Sequence, residues 1–175
     1  MELFETLKQL TETAALSGGE GPVTAVIRDL WEPLVDEMRT DYTGSLIAVK
    51  YGNGQAPRRK LLLAAHADEI GLMVKQVIEY NGWGFLRVVN IGGIDRRHIY
   101  GQLVTAHGER DLNGVLGCLP GSMLPPERRN KPFGYEDVVV DVGLPYDELK
   151  ELVRIGDYVS FRQPLRKMQG GLAAG

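Results

Sequence analysis

Leu61-Leu62-Leu63-Ala64-Ala65-His66-Ala67-Asp68-Glu69-Ile70-Gly71 is the stretch on which the reading of this chain turns. An apolar run without alternation stops abruptly at one histidine and two carboxylates. Such a run suits a short strand buried on both faces of a parallel sheet, so a strand is predicted over 60–65. Open α/β sheets bind their ligands outside the carboxyl ends of their strands, which is where His66, Asp68 and Glu69 would fall. Residues two apart on a strand share a side, so His66 and Asp68 would point the same way. A metal-binding histidine commonly has a carboxylate beside it that fixes tautomer and ring orientation. The segment therefore has the form of one edge of a metal site.

Outward from this stretch, the N-terminal side reads helix, helix, strand, strand. Leu3, Leu7, Leu10 and Ala14 recur at helical spacing. The break Ser17-Gly18-Gly19-Glu20-Gly21 precedes Pro22, which suits the first position of a second helix. Val23, Val26, Ile27, Leu30 and Leu34 form its stripe, and Pro33 should end or kink it near Trp31 or Glu32. Strands are expected over 38–42 and 45–50, with turns at Thr43-Gly44 and at Gly52-Asn53-Gly54.

Beyond Gly71 the texture changes to short strand-like segments separated by glycines: 72–79, 83–90, 102–107 and 115–119. That rhythm predicts a small barrel or sandwich. Residues 122–132, rich in proline and charge, read as an exposed loop. A buried strand is expected over 138–142, a short helix over 146–153 and a last strand over 157–162. The tail 169–175 carries little structural signal.

Composition is that of an ordinary globular chain: 175 residues, 43% hydrophobic and 25% charged. A net charge of −3 argues against a nucleic-acid-binding face. No apolar run approaches the ~20 residues of a membrane span. Met1 to Leu16 is acidic and amphipathic rather than signal-like, so a cytoplasmic location is expected. One cysteine, Cys118, excludes an internal disulfide and is expected to be buried.

Ala65-His66-Ala67-Asp68-Glu69-Ile70-Gly71 resembles the first metal motif of the M42 metallo-aminopeptidases, the glutamyl and tetrahedral aminopeptidases sometimes labelled cellulases or endoglucanases. Further elements follow in the family's order. Ser17-Gly18 with Glu20 and Pro22 is similar to its Ser-Gly-x-Glu element. Asp41-Tyr42-Thr43-Gly44-Ser45-Leu46 resembles its Asp-x-x-Gly-Asn-Leu turn, with Ser45 in place of the usual Asn. Ile91-Gly92-Gly93-Ile94-Asp95, Gly114-Val115-Leu116-Gly117, Asp141-Val142-Gly143 and Ile155-Gly156-Asp157-Tyr158-Val159 match later elements. Pro120-Gly121-Ser122-Met123 departs from a Pro-x-His pattern.

The resemblance implies an α/β fold: a split metallopeptidase α/β sandwich domain interrupted by a small β-barrel-like dimerisation domain. Residues 1 to about 70 would open the catalytic domain, 71–163 would be the insertion, and 164–175 would begin the return. It further implies removal of N-terminal residues from peptide substrates. Two divalent ions, zinc or cobalt, would share an activated water. His66 carries over as a metal ligand and Asp68 as the catalytic-site residue that orients it. Homo-oligomers, often shells of dimers, are implied through the inserted domain. The family's bridging Asp, its Glu-Glu pair and its remaining Asp and His have no counterpart here. One histidine cannot hold two metals, and a catalytic zinc normally takes three protein ligands. The chain is thus expected to be an N-terminal fragment, inactive alone, lacking the second half of the catalytic domain.

Plainer readings stand beside these. A lone His-x-Asp is more often an ordinary pair than a ligand site. Glu69 reads best as a solvated carboxylate. His98 and His107 lack zinc spacing and read as surface or satisfied histidines. The basic clusters Arg96-Arg97 and Arg128-Arg129-Lys131 read as solvated loops, and Trp83 and Phe85 as core or interface. A non-enzymatic assembly module or decayed remnant is the alternative. Glycan hydrolysis is weak, because no pair of carboxylates can be chosen for it.

Overall fold

A computed structural model describes residues 2–118, 126, 127, 129, 131 and 134–175. The chain forms two compact units, Met1–Asp68 and Glu69–Gly175. The loop expected over 122–132 and the departure at 120–123 fall mostly or wholly outside the described residues.

The first unit begins with α1 (Leu3–Thr11) and α2 (Gly21–Trp31). Pro22 sits in the first turn of α2, where its missing N–H costs no bond. Pro33 stops the α-helix, and the chain tightens into a 3-10 turn at Glu32–Leu34. Strands β1 (Glu37–Thr40) and β2 (Leu46–Val49) pair antiparallel. Their connection is held by the Asp41 carboxylate, which accepts from Thr43 N (3.0 Å), Thr43 Oγ1 (2.7 Å) and Ser45 N (2.9 Å). These bonds hold the Asp41 carboxyl below the usual carboxylate range, the Thr43 hydroxyl first among them. Arg28 Nη2 donates to Thr40 Oγ1 at 2.7 Å, tying α2 to β1.

One expectation fails in this unit. No strand forms over 60–65; the segment has no regular structure and is exposed, with Leu61, Leu62 and Leu63 at 84–87% exposure. An apolar run becomes a buried strand only where neighbouring strands accept its backbone bonds and cover its faces, and no described residue does either. Helix α1 carries its apolar stripe as expected, and none of its residues is buried.

The second unit is a closed six-stranded antiparallel barrel in the order β3-β4-β7-β6-β5-β8. Its strands are β3 (Gly71–Tyr80), β4 (Trp83–Ile91), β5 (Leu103–His107), β6 (Asp111–Cys118), β7 (Val138–Pro145) and β8 (Tyr158–Phe161). Closure leaves no open edge on the barrel strands. Asn81 and Gly82, both at positive φ (52° and 83°), make the two-residue turn between β3 and β4. Asn-Gly favours this turn because its twist matches that of the flanking strands. The inward positions are aliphatic and wholly buried, among them Leu72, Leu86, Leu116, Val104, Val140 and Val159. Helix α3 (Tyr146–Leu152) packs against β3, β4 and β7 and drives Leu149 into this core. Gly84 permits that approach, since a Cβ there would stand 2.8 Å from Leu149 Cδ2.

Three further details differ from the sequence reading. The segment 138–142 is not uniformly buried: Val138 and Val140 face the core while Asp141 is exposed, because an antiparallel barrel strand alternates its faces. Cys118 is only partly buried, although burial still pushes its thiol pKa up. The strand at 158–161 is not the last: the tail folds back as β9 (Arg166–Lys167) and β10 (Ala173–Ala174), paired antiparallel.

Candidate metal-ligand site

The site residues all belong to the first unit. His66 Nδ1 meets two oxygens of Asp68: the main-chain carbonyl at 2.9 Å and Oδ1 at 3.2 Å. The pair is therefore joined by contacts between the His66 ring and Asp68, not by sharing one side of a strand as expected, since no strand forms here. With only acceptors at Nδ1, the neutral ring places its proton there and leaves the Nε2 lone pair available. The His66 ring is 86% exposed and the Asp68 side chain 37%. Nε2 has no hydrogen-bond partner among the described residues.

Asp68 is held from its other side. The Ser17 hydroxyl donates to Asp68 Oδ2 across a separation of 51 residues. Ser17 lies in the turn after α1, where Gly19 N–H reaches Leu16 O at 2.7 Å. Gly18 takes φ +89° there, and its N–H donates to Glu20 Oε1 at 2.8 Å. A positive φ favours glycine, which accounts for Gly18 at that position. The Ser17 bond is the main reason that the Asp68 carboxyl lies below its ordinary pKa, with His66 adding to it. Sequence reading passed over this contact. No periodicity links residues 51 apart, and the Ser17-Gly18 element drew notice only through the resemblance.

The other histidines occupy ordinary positions. His98 is exposed and stands 3.9 Å from the Asp95 carboxylate. Asp95 itself is gripped by the Arg97 guanidinium, which holds its carboxyl far below the usual range. His107 bridges the barrel, with Nδ1 2.8 Å from Asp111 Oδ1 and Nε2 2.8 Å from Ser160 Oγ. This bridge satisfies the one buried polar side chain described, Ser160. Trp83 is half exposed at the β3–β4 turn, and Phe85 is half-buried on β4.

Among the described residues, no three His, Cys, Asp or Glu side chains come together as a metal-holding group. The residues present therefore do not fit a complete metal centre. They fit one imidazole donor with its orienting carboxylate and the hydroxyl behind it.

Residues 44–175 match the model of the M42 glutamyl aminopeptidase family, and the chain belongs to that family. Lysyl aminopeptidase of Pyrococcus furiosus is 34% identical over 148 residues, covering 80% of this chain and 39% of that relative. The crystal structure of a TET aminopeptidase from a marine sediment archaeon superposes with a TM-score of 0.84 at 30% identity. It covers 95% of this chain and 46% of that one. The TET1 peptidase of Pyrococcus horikoshii, which can assemble into a tetrahedron or a large octahedral shell, matches at TM-score 0.76 and 32% identity. That match covers 95% of this chain and 48% of the other. The chain thus spans less than half the length of the relatives it matches. No helix of the described residues is long and apolar enough to cross a membrane.

Proposed function

We propose that this chain supplies the first part of a metal-dependent aminopeptidase that removes N-terminal residues from peptides. The observation that carries the reading is the His66 ring, held through Nδ1 by Asp68 with Nε2 left as a donor atom. In this reading His66 is one metal ligand, and Asp68 fixes its tautomer and raises its basicity. The family resemblance implies two divalent ions, zinc or cobalt. When bound, they would lower the pKa of a water to make the nucleophile. The further ligands and the general base are not among the described residues, so the chain by itself is proposed to be inactive.

The same proposal assigns residues 1 to about 70 to the catalytic α/β domain, 71–163 to an inserted assembly domain and 164–175 to the return. Exposure of Leu61, Leu62 and Leu63 supports the first assignment, because a strand of that composition is stable only inside a sheet. Self-association through the barrel into dimer-based shells belongs to the proposal, as does a cytoplasmic location. One cysteine in 175 residues suits a reducing compartment.

The test is hydrolysis of aminoacyl-anilides, with added zinc or cobalt, by the 175-residue chain and by a complete enzyme carrying this segment. The chain alone should be inert, and His66→Ala in the complete enzyme should remove metal-supported turnover. Turnover that survives His66→Ala would overturn the assignment. The closed barrel with its own core favours one second reading, a non-catalytic assembly module. Self-association without metal uptake in the complete protein would select it.

A further inference from the structure

Ser17 is an exposed residue, yet its hydroxyl reaches a site residue 51 positions away. The bond goes to Asp68 Oδ2, the oxygen not used on His66, while Oδ1 faces Nδ1 at 3.2 Å. A carboxylate held at one oxygen cannot turn freely about its side-chain bonds. Its second oxygen is thereby kept on the imidazole. The Asp68 main-chain carbonyl is a second acceptor at the same nitrogen, 2.9 Å away. Both acceptors favour a proton on Nδ1, and the hydroxyl controls one of them.

We propose that Ser17 is a positioning residue for this site: through Asp68 it holds His66 in the Nδ1–H tautomer and so keeps Nε2 free to act as a donor. The inference rests on the reading of His66 as a ligand that uses Nε2. The turn Ser17-Gly18-Gly19-Glu20 thereby acquires a task. It sets the hydroxyl where the second shell of the imidazole needs it, which a resemblance between motifs does not explain.

The test needs no metal. In the nitrogen-15-labelled 175-residue chain, the ring nitrogen shifts of the three histidines report tautomers directly at alkaline pH. Wild-type His66 should be mainly Nδ1–H. Ser17→Ala should lower its Nδ1–H to Nε2–H ratio about two- to tenfold, the range covered by one ordinary hydrogen bond. Ser17→Thr, which keeps the hydroxyl, should restore the wild-type ratio. His107, held by Asp111 and Ser160 in the barrel, should not respond to either change.

An unchanged His66 ratio in Ser17→Ala overturns the proposal, and so does a wild-type ring in the Nε2–H form. Unchanged backbone amide shifts in α2 and in β1–β2 verify the fold of the N-terminal unit in each variant, while His107 reports on the barrel. The result is independent of catalysis. If the tautomer shifts but His66→Ala spares metal-supported turnover, the ligand assignment fails and the role of Ser17 stands. If His66→Ala abolishes turnover and the tautomer does not shift, the reverse holds.

Discussion

The barrel and the N-terminal unit have similar local ingredients, short strands with glycine-rich turns and one or two helices, yet they bury very different amounts of apolar surface. In the barrel, every strand pairs on both sides, and the aliphatic side chains of all six strands meet in one core. In the N-terminal unit, the buried apolar residues described are Ala15, Leu16 and Val23, while Leu61, Leu62 and Leu63 face solvent. Closure is what separates the two. A sheet that returns on itself satisfies its own edges, whereas a two-stranded ribbon and a lone extended run cannot.

The sharpest way to break this comparison is a matched pair of leucine truncations. Leu86→Ala, in the barrel core, should cost about 2–5 kcal/mol in chemical denaturation, as removal of a fully buried leucine usually does. Leu62→Ala should change stability by no more than about 0.5 kcal/mol, since its side chain is already in water. Equal losses at the two positions would show that the segment 61–63 is buried in solution.

A smaller effect is expected at the polar bridge. His107→Leu would leave the Ser160 hydroxyl buried without its partner, at a cost of about 1–3 kcal/mol. Adding Ser160→Ala should recover part of the loss, because the stranded hydroxyl is then gone. A double variant no more stable than the single one would argue that His107 acts through packing alone.

The smallest effect belongs to the N-terminal unit and is electrostatic. The folded turn lowers the pKa of Asp41, so its ionised form is favoured by folding. The associated stabilisation is present above the ordinary aspartate value of 3.8 and fades as pH falls through the lower folded value. A carbon-13 carboxyl titration should place the Asp41 midpoint below 3.8, and Thr43→Val should move it upward. A midpoint that ignores Thr43→Val would remove the hydroxyl from the account.

Much of the architecture was legible before any coordinates. Helical spacing and Pro22 and Pro33 marked the two helices, and the glycine-punctuated segments beyond Gly71 indicated a small barrel or sandwich, of which the structure is the barrel. The motif around His66, with its companions in order, placed the chain in its family. The largest failure has a plain cause. The run over 60–65 has strand-like residues but no strand, because hydrogen-bond partners are not written in a segment's own periodicity.

What the sequence by itself determined is local: where helices start and stop, where turns fall, which faces are apolar, and that His66 and Asp68 lie within reach of each other. Tertiary structure alone decided the strand order β3-β4-β7-β6-β5-β8, the bridge from His107 to Ser160 across 53 residues, and the bond from Ser17 to Asp68 across 51. The physical reason is range. Backbone propensity and side-chain periodicity act over a few residues, whereas a barrel closes and a carboxylate is steered only by groups that folding brings from far along the chain.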